Sequence, residues 1–318
     1  MGGASGGSIR EGCVHPAPAM NPGRPPPAMN PGRPRAGAGF FKGHGLGNDY
    51  LVFAFGDGWA LSPEAVRAVC DRWRGVGADG IVLHSPPPER PWRLRMFNPD
   101  GSEFERSGNG LRVFAAWAAS RDWVGDGPFA VEVGGDRVHM RVEERLAGSV
   151  YDVSVEMGRA SLHPADAGLA PAWQGRPLTH PAEGVLDCTP VSVGNPHCVV
   201  FTDDLSDAAL SRLGPFLTAH EAFPAGVNVQ LARPVSRGCV EIAIWERGVG
   251  RTQASGTSSC AAAVAAAGRG VVDYGEVEVR MEGGTLQVDV SRGLEVILRG
   301  PVQGVARGRL SEGFMEAL

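Results

Sequence analysis

Arg106-Ser107-Gly108-Asn109-Gly110-Leu111-Arg112-Val113-Phe114-Ala115-Ala116-Trp117-Ala118-Ala119-Ser120 is the stretch on which the fold turns. A Ser-Gly pair opens a run that is almost entirely apolar, and the run predicts a helix from Leu111 to Ser120. A helix without a polar face has to be buried. The same design recurs 148 residues later, where Ala254-Ser255-Gly256-Thr257-Ser258 precedes an alanine-rich helix from Cys260 to Ala267. Upstream, Gly47-Asn48-Asp49-Tyr50-Leu51-Val52-Phe53 has a counterpart 147 residues on, Gly194-Asn195-Pro196-His197-Cys198-Val199-Val200-Phe201. Downstream, alternating strands flank Gly134-Gly135 and, 149 residues on, Gly283-Gly284, the pattern of hairpins. Three landmarks with offsets this close point to a duplicated α+β domain.

Each half carries a further short helix. In the first, Ser62 caps, Pro63 takes the first turn, and Val66, Val69, Cys70 and Trp73 form an apolar stripe that stops before Gly75. In the second, Ser206 caps a helix expected to end near Gly214-Pro215. Residues 1–39 stand apart. They hold 17 of the chain's 46 Gly and 25 Pro and contain a direct repeat, Pro18 to Pro25 and again Pro27 to Pro34, so a disordered tail is expected there. The remaining 279 residues are ample for two cores. A net charge of −5, with acidic and basic residues interspersed, argues against a nucleic-acid footprint. No apolar run is long enough to cross a membrane, and six cysteines without a CxxC spacing read as free thiols of a cytoplasmic protein, with no metal site.

A helix that starts with a serine cap and a glycine leaves its first N–H groups open to an anion. Two related halves would turn two such starts, Ser107-Gly108-Asn109 and Ser255-Gly256-Thr257, toward one small ligand bearing a carboxylate. The surrounding loops carry six motifs in order: His44-Gly45-Leu46-Gly47-Asn48-Asp49, Phe97-Asn98-Pro99-Asp100-Gly101-Ser102-Glu103, Ser107-Gly108-Asn109-Gly110, Gly194-Asn195-Pro196-His197-Cys198, Val227-Asn228 and Glu246-Arg247-Gly248. Together they resemble the diaminopimelate epimerase family across roughly residues 40 to 318.

The resemblance implies an α+β fold of two pseudo-symmetric domains, each a mixed or antiparallel sheet curled around a central helix. The expected domains are 40–150 with 301–318, and 151–300, with the active site in the cleft between them. It also implies a cofactor-independent amino-acid epimerase, LL-diaminopimelate to the meso form, in which two groups on opposite faces of the α-carbon exchange its proton. Asn48, Asn98, Asn195 and Asn228 match the positions holding the distal end of the substrate, with Arg247 for its carboxylate. Gly108, Asn109, Gly256 and Thr257 match the helix starts, and Glu246 and His197 match the acidic and basic groups beside the proton-transferring pair. The implied partner is a small amino acid, and a homodimer is compatible with the resemblance.

The departure from the family falls on the chemistry. Positions 107 and 255, cysteine in the family, are Ser107 and Ser255; Arg251 stands where the family usually has an acid, and Ser258 where it has glycine. An alcohol about five units less acidic than a thiol makes the anion roughly 7 kcal/mol dearer, about 10⁵-fold in rate. None of the six cysteines substitutes. Cys260 is inside a helix, Cys198 alternates to the face opposite His197, Cys70 is on the apolar stripe, Cys188 and Cys239 begin strands, and Cys13 is in the tail. Three readings follow: an epimerase whose serines relay protons to Glu246 or His197, a one-base isomerase or lyase of the same fold, and an amino-acid binder without chemistry. Gly75-Val76-Gly77-Ala78-Asp79-Gly80 fits a dinucleotide pattern, but it follows a helix and precedes a strand, the reverse of that context.

Overall fold

A computed structural model describes residues 38–55, 62–86 and 89–317. The repeats of the expected tail, and Cys13, lie outside the described residues. The chain begins with a hairpin of β1 (Gly39–Gly45) and β2 (Asn48–Ala54), whose two-residue loop, Leu46-Gly47, has φ of 52° and 92°. Positive φ at both positions is what a tight hairpin between twisted strands requires. Next come α1 (Pro63–Cys70), β3 (Gly80–His84), β4 (Trp92–Phe97), β5 (Glu103–Phe104), α2 (Gly108–Ala119), β6 (Phe129–Val133), β7 (Asp136–Leu146) and β8 (Val150–Arg159). The second part runs β9 (Thr179–His180), β10 (Gly184–Val185), β11 (Cys188–Ser192), β12 (Pro196–Phe201), α3 (Asp207–Thr218), β13 (Asn228–Ser236), β14 (Cys239–Glu246) and β15 (Gly250–Thr252). It closes with α4 (Gly256–Gly268), β16 (Gly275–Met281), β17 (Gly284–Val290), β18 (Glu295–Arg309) and α5 (Glu312–Glu316).

Two curled sheets result, joined at one long strand. In the order β1-β2-β3-β4-β6-β7-β8-β18 each strand bonds to the next, and β18 returns to β1, so the ring closes around α2. From β18 the sheet continues through β17-β16-β14-β13-β12-β11, and a bridge between Ser161 and Ser192 ties β11 back toward the end of β8. This second curl wraps α4. Every residue of α2 is buried, as the apolar sequence demands, and α4 is buried from Ser258 to Ala267. One hydrophobic core runs through both curls, with smaller clusters under α3 and under α1. The fold is thus the α+β arrangement of two sheets around two central helices that the sequence predicts. The described residues form one compact unit, and the expected boundary at 300/301 falls within the continuous strand β18.

Local expectations fail at two helices. Trp73 does not continue the stripe of α1; it is 95% exposed. The Asp71 carboxylate accepts the N–H groups of Trp73 and Arg74, at 2.8 and 2.7 Å, and this turn ends the helix at Cys70. Conversely, α3 does not stop near Gly214-Pro215 but runs on to Thr218. Leu210, Leu213 and Leu217 bury along one face, and that apolar contact outweighs the N–H lost at Pro215. Among the described residues no helix is long and apolar enough to cross a membrane.

Candidate active site between two helix starts

The two central helices meet at their N-termini. A Cβ on Gly108 or on Gly256 would come 2.8 Å from Cδ2 of Leu298, and that on Gly256 would lie 4.0 Å from Cα of Gly108. Leu298, on the shared strand β18, is therefore the wedge against which both starts are pressed, and only glycine allows the approach. Ser107 and Ser255 occupy the N-cap positions in extended conformation. Ser107 Oγ accepts the N–H of Gly110 at 3.1 Å and Ser255 Oγ that of Ser258 at 3.4 Å. The caps leave the N–H groups of Gly108, Asn109, Gly256 and Thr257, all lining one cleft of about 820 Å³. The outer helices α1, α3 and α5 each carry an acid in the first turn, Glu64, Asp207 and Glu312, whereas α2 and α4 carry none. The positive ends of the central helices are left for a ligand's negative charge.

The two serines have different neighbours. Tyr50, on β2, donates its phenol proton to Ser107 Oγ at 3.0 Å. Burial holds the phenol above its ordinary pKa; the hydrogen bond with Ser107 only partly opposes this, and Asp79, Glu246 and Asp49 add to it, so the phenol keeps its proton. Ser255 faces the carboxylate of Glu246, at the end of β14, which also accepts from Thr252 Oγ1 at 3.2 Å. Burial raises the pKa of Glu246, and the hydrogen bonds from Ser255 and Thr252 only partly oppose it.

The cleft wall is organised by a run of side-chain bonds. The fully buried Arg112, lowered to about 10 by burial, donates to Oδ1 of Asn109, Asn109 Nδ2 donates to Asn48 Oδ1 at 2.9 Å, and Asn48 Nδ2 to Asp79 Oδ2 at 3.0 Å. Arg72 joins Asp79 to Asp49, at 2.6 and 2.7 Å. Although burial opposes it, Arg72 and Lys42 hold the Asp49 carboxyl below its ordinary pKa. The amide orientations are thereby fixed from inside the core.

Of the residues singled out in the sequence, Asn48, Asn98, Ser107, Gly108, Asn109, Asn195, Glu246, Arg247, Ser255, Gly256 and Thr257 all line the cleft. His197 and Asn228 do not. His197 is fully buried, its Nε2 2.9 Å from Asn195 Oδ1, and burial lowers it to about 3, so it is neutral at ordinary pH. Asn228 spends its amide on the carbonyl of Pro196 and the N–H of Arg247, both at 3.0 Å. Both therefore brace cleft residues from behind. Arg251 lies outside the cleft, bound to Asp207 at 2.9 Å and to Glu282, so it is not free to recruit an anion. Ser258 is fully buried and accepts from Gln230 at 3.0 Å. The cysteines fall as expected: Cys70, Cys198, Cys239 and Cys260 are buried and Cys188 starts β11. Burial pushes the thiols of Cys70 and Cys260 up to about 12.

Sequence reasoning missed Tyr50, Asp79, Arg106 and Thr252, all of which line the cleft. Tyr50 could have been found from alternation, since Asn48, Tyr50 and Val52 share one face of a strand. Asp79 sits within the rejected glycine motif. Arg106 donates to the carbonyl of Met157 at 3.0 Å and lines the same cleft as Arg247.

Comparison with known proteins gives one consistent picture. The family model described as "Diaminopimelate epimerase" matches residues 40–163 and 189–305. The diaminopimelate epimerase of Desulforudis audaxviator is 42% identical over 281 residues, covering 85% of this chain and 98% of its own. "Diaminopimelate epimerase 2" of Nostoc sp. is 36% identical over 278 residues, covering 86% and 95%. Among solved structures, a hydroxyproline epimerase from Agrobacterium vitis with bound trans-4-hydroxy-L-proline superposes with a TM-score of 0.63 at 14% identity, over 87% of this chain and 92% of its own. A phenazine biosynthesis protein of Bacillus anthracis superposes with a TM-score of 0.62 at 12% identity, over 86% and 99%. These last two share the fold.

Proposed function

Because the chain belongs to the diaminopimelate epimerase family, we propose that it inverts an amino-acid α-carbon, converting LL-diaminopimelate to the meso form by proton transfer through Ser107 and Ser255. The observation that carries this reading is the meeting of two serine-capped helix starts, neither with an acid in its first turn, in one cleft. The α-carboxylate binds the four leftover N–H groups. Their partial charges stabilise the carbanion formed when the α-proton leaves, because its electron pair spreads onto that carboxylate. Asn48, Asn98 and Asn195 hold the distal amino acid end and Arg247 its carboxylate, as a guanidinium fork suits. Asn228 and His197 act through Arg247 and Asn195. No cofactor takes part, and the free cysteines suit a reducing cytoplasm.

Serine is the harder acid to ionise, and the surroundings of each residue reduce that difficulty. Hydrogen bonds to a charged oxygen contribute about 1.5–3 kcal/mol each, and Ser107 has two donors in Tyr50 and Gly110. Ser255 has Glu246 to take its proton, and burial raises that carboxylate's basicity. The test is incubation with LL- and meso-diaminopimelate in D₂O, following the α-proton by NMR. Exchange and interconversion support the proposal. Tight binding without exchange would instead identify an amino-acid binder, and an unsaturated or keto product a lyase. In S107C/S255C exchange should accelerate; if the double variant stays silent, the substrate assignment fails as well.

A further inference from the structure

We infer that Tyr50 makes the two faces of the cleft unequal, so that in the resting site Ser107 is poised to give a proton and Ser255, with Glu246, to take one, the roles exchanging when the reaction runs in reverse. This deepens the reading above and rests on it. A serine hydroxyl has one proton and two lone pairs. At Ser107 both lone pairs are occupied, by the phenol of Tyr50 at 3.0 Å and the N–H of Gly110 at 3.1 Å. Its own proton is then the group left to offer, and Ser107 lines the cleft. At Ser255 the one backbone donor is Ser258, at 3.4 Å, and the Glu246 carboxylate attracts the hydroxyl proton. The Thr257 hydroxyl lies 3.5 Å from Ser255 Oγ, where either can donate, so Ser255 Oγ is held by longer contacts than Ser107 Oγ and is the freer of the two to receive a proton from the ligand.

The duplication makes the asymmetry visible. The residue 147 positions after Tyr50 is His197, which is fully buried behind the wall and bonded to Asn195. Ser255 has no phenol of its own. The Tyr50 ring is also clamped: a Cβ on Gly80 would come 2.5 Å from its Cε1, and one on Gly110 3.3 Å. Its hydroxyl cannot swing away from Ser107 without moving two backbone segments.

The step balances as follows. On the Ser255 face the Cα–H bond breaks, its proton passes to Ser255 Oγ, and the proton of Ser255 passes to Glu246. The electron pair stays on the substrate as the carboxylate-stabilised carbanion. On the Ser107 face the carbanion takes the Ser107 proton and forms the new C–H bond, leaving an alkoxide held by Tyr50 and Gly110. Solvent then returns a proton to Ser107, and Glu246 gives its own to solvent. Tyr50 is a positioning residue throughout, since it acts through Ser107.

The contact can be read without turnover. In S107C, the rate of alkylation by iodoacetamide at position 107 is followed against pH by peptide mass spectrometry, and compared with S107C/Y50F. Loss of the phenol donor should raise the titration midpoint by about one pH unit, slowing alkylation about tenfold near neutral pH. S255C should be unmoved by Y50F. In the native serine background, Y50F should lower kcat for α-proton exchange about 10- to 100-fold with KM unchanged, and should have no further effect once S107A is present. Identical midpoints with and without the phenol overturn the proposal, as does a Y50F protein with undiminished kcat. A shifted midpoint in a protein whose serine form shows no exchange supports the Tyr50 contact and refutes the epimerase reading.

Discussion

Gly256→Ala tests the geometry on which the cleft depends. Neither Gly256 nor Gly108 has positive φ, so alanine fits the backbone, and the effect is purely one of space. The new methyl would stand 2.8 Å from Leu298 Cδ2. Carbon atoms prefer about 3.5–4.0 Å, so roughly 1 Å has to be opened. Leu298 is fully buried and cannot swing into solvent. Overpacking of this kind costs about 1–3 kcal/mol, and the entropy removed from the unfolded chain returns about 0.4–1. The net expectation is about 0.5–2 kcal/mol of destabilisation, read as a lower urea midpoint with an unchanged m-value. Leu298→Val, which withdraws the δ-methyl, should suppress much of this loss, giving a coupling of about 1 kcal/mol in a double-mutant cycle. Gly108→Ala presses on the same methyl, so the two alanines together should cost less than their sum. Strict additivity in either cycle, or a G256A protein as stable as the parent, would refute the claim that Leu298 sets the spacing of the helix starts.

Glu246→Gln should reduce α-proton exchange by about 10²-fold or more. In the parent, the active form is the carboxylate, and burial places its pKa above the ordinary value of 4.5, so the rate should rise with pH through a point above that value. A rising limb at or below the ordinary carboxylate range would remove Glu246 from the mechanism. Arg247→Ala should raise KM for diaminopimelate far more than it lowers kcat, whereas Arg251→Ala should leave both unchanged and alter stability by about 1 kcal/mol or less; equal effects would merge two arginines that the structure separates. His84 is buried against Phe114, Trp117 and Trp123, and burial lowers it to about 4 from 6.5. The folded state refuses a proton that the unfolded state accepts, so this contribution is complete above about pH 6.5 and is lost as pH falls toward 4, up to roughly 3 kcal/mol. His84→Gln should therefore flatten the fall in urea midpoint between pH 7 and 5, and an unchanged slope would contradict the assignment.

What could be read from the sequence was whatever repeats or has an obligatory environment. An apolar helix has to be buried, and its recurrence after 148 residues announces two such burials, which α2 and α4 confirm. The Ser-Gly starts announce open N–H groups. Their meeting point was hidden because it depends on Leu298, an ordinary strand leucine whose importance comes only from β18 being shared by both curls. Depth along a strand was hidden too. Alternation separates His197 from Cys198 correctly, with Cys198 in the cluster under α3, but it cannot tell whether His197 reaches the cleft or stops behind it. Trp73 shows local chemistry overruling period, since the Asp71 turn ended a helix whose stripe continued in sequence. Tyr50 is the instructive omission. It lay inside a motif already chosen for its asparagine, and only the side-chain geometry reveals that the duplicated halves give their two serines different partners. A duplication visible in the sequence thus implies symmetry of fold, while the chemistry rests on the positions where the copies differ.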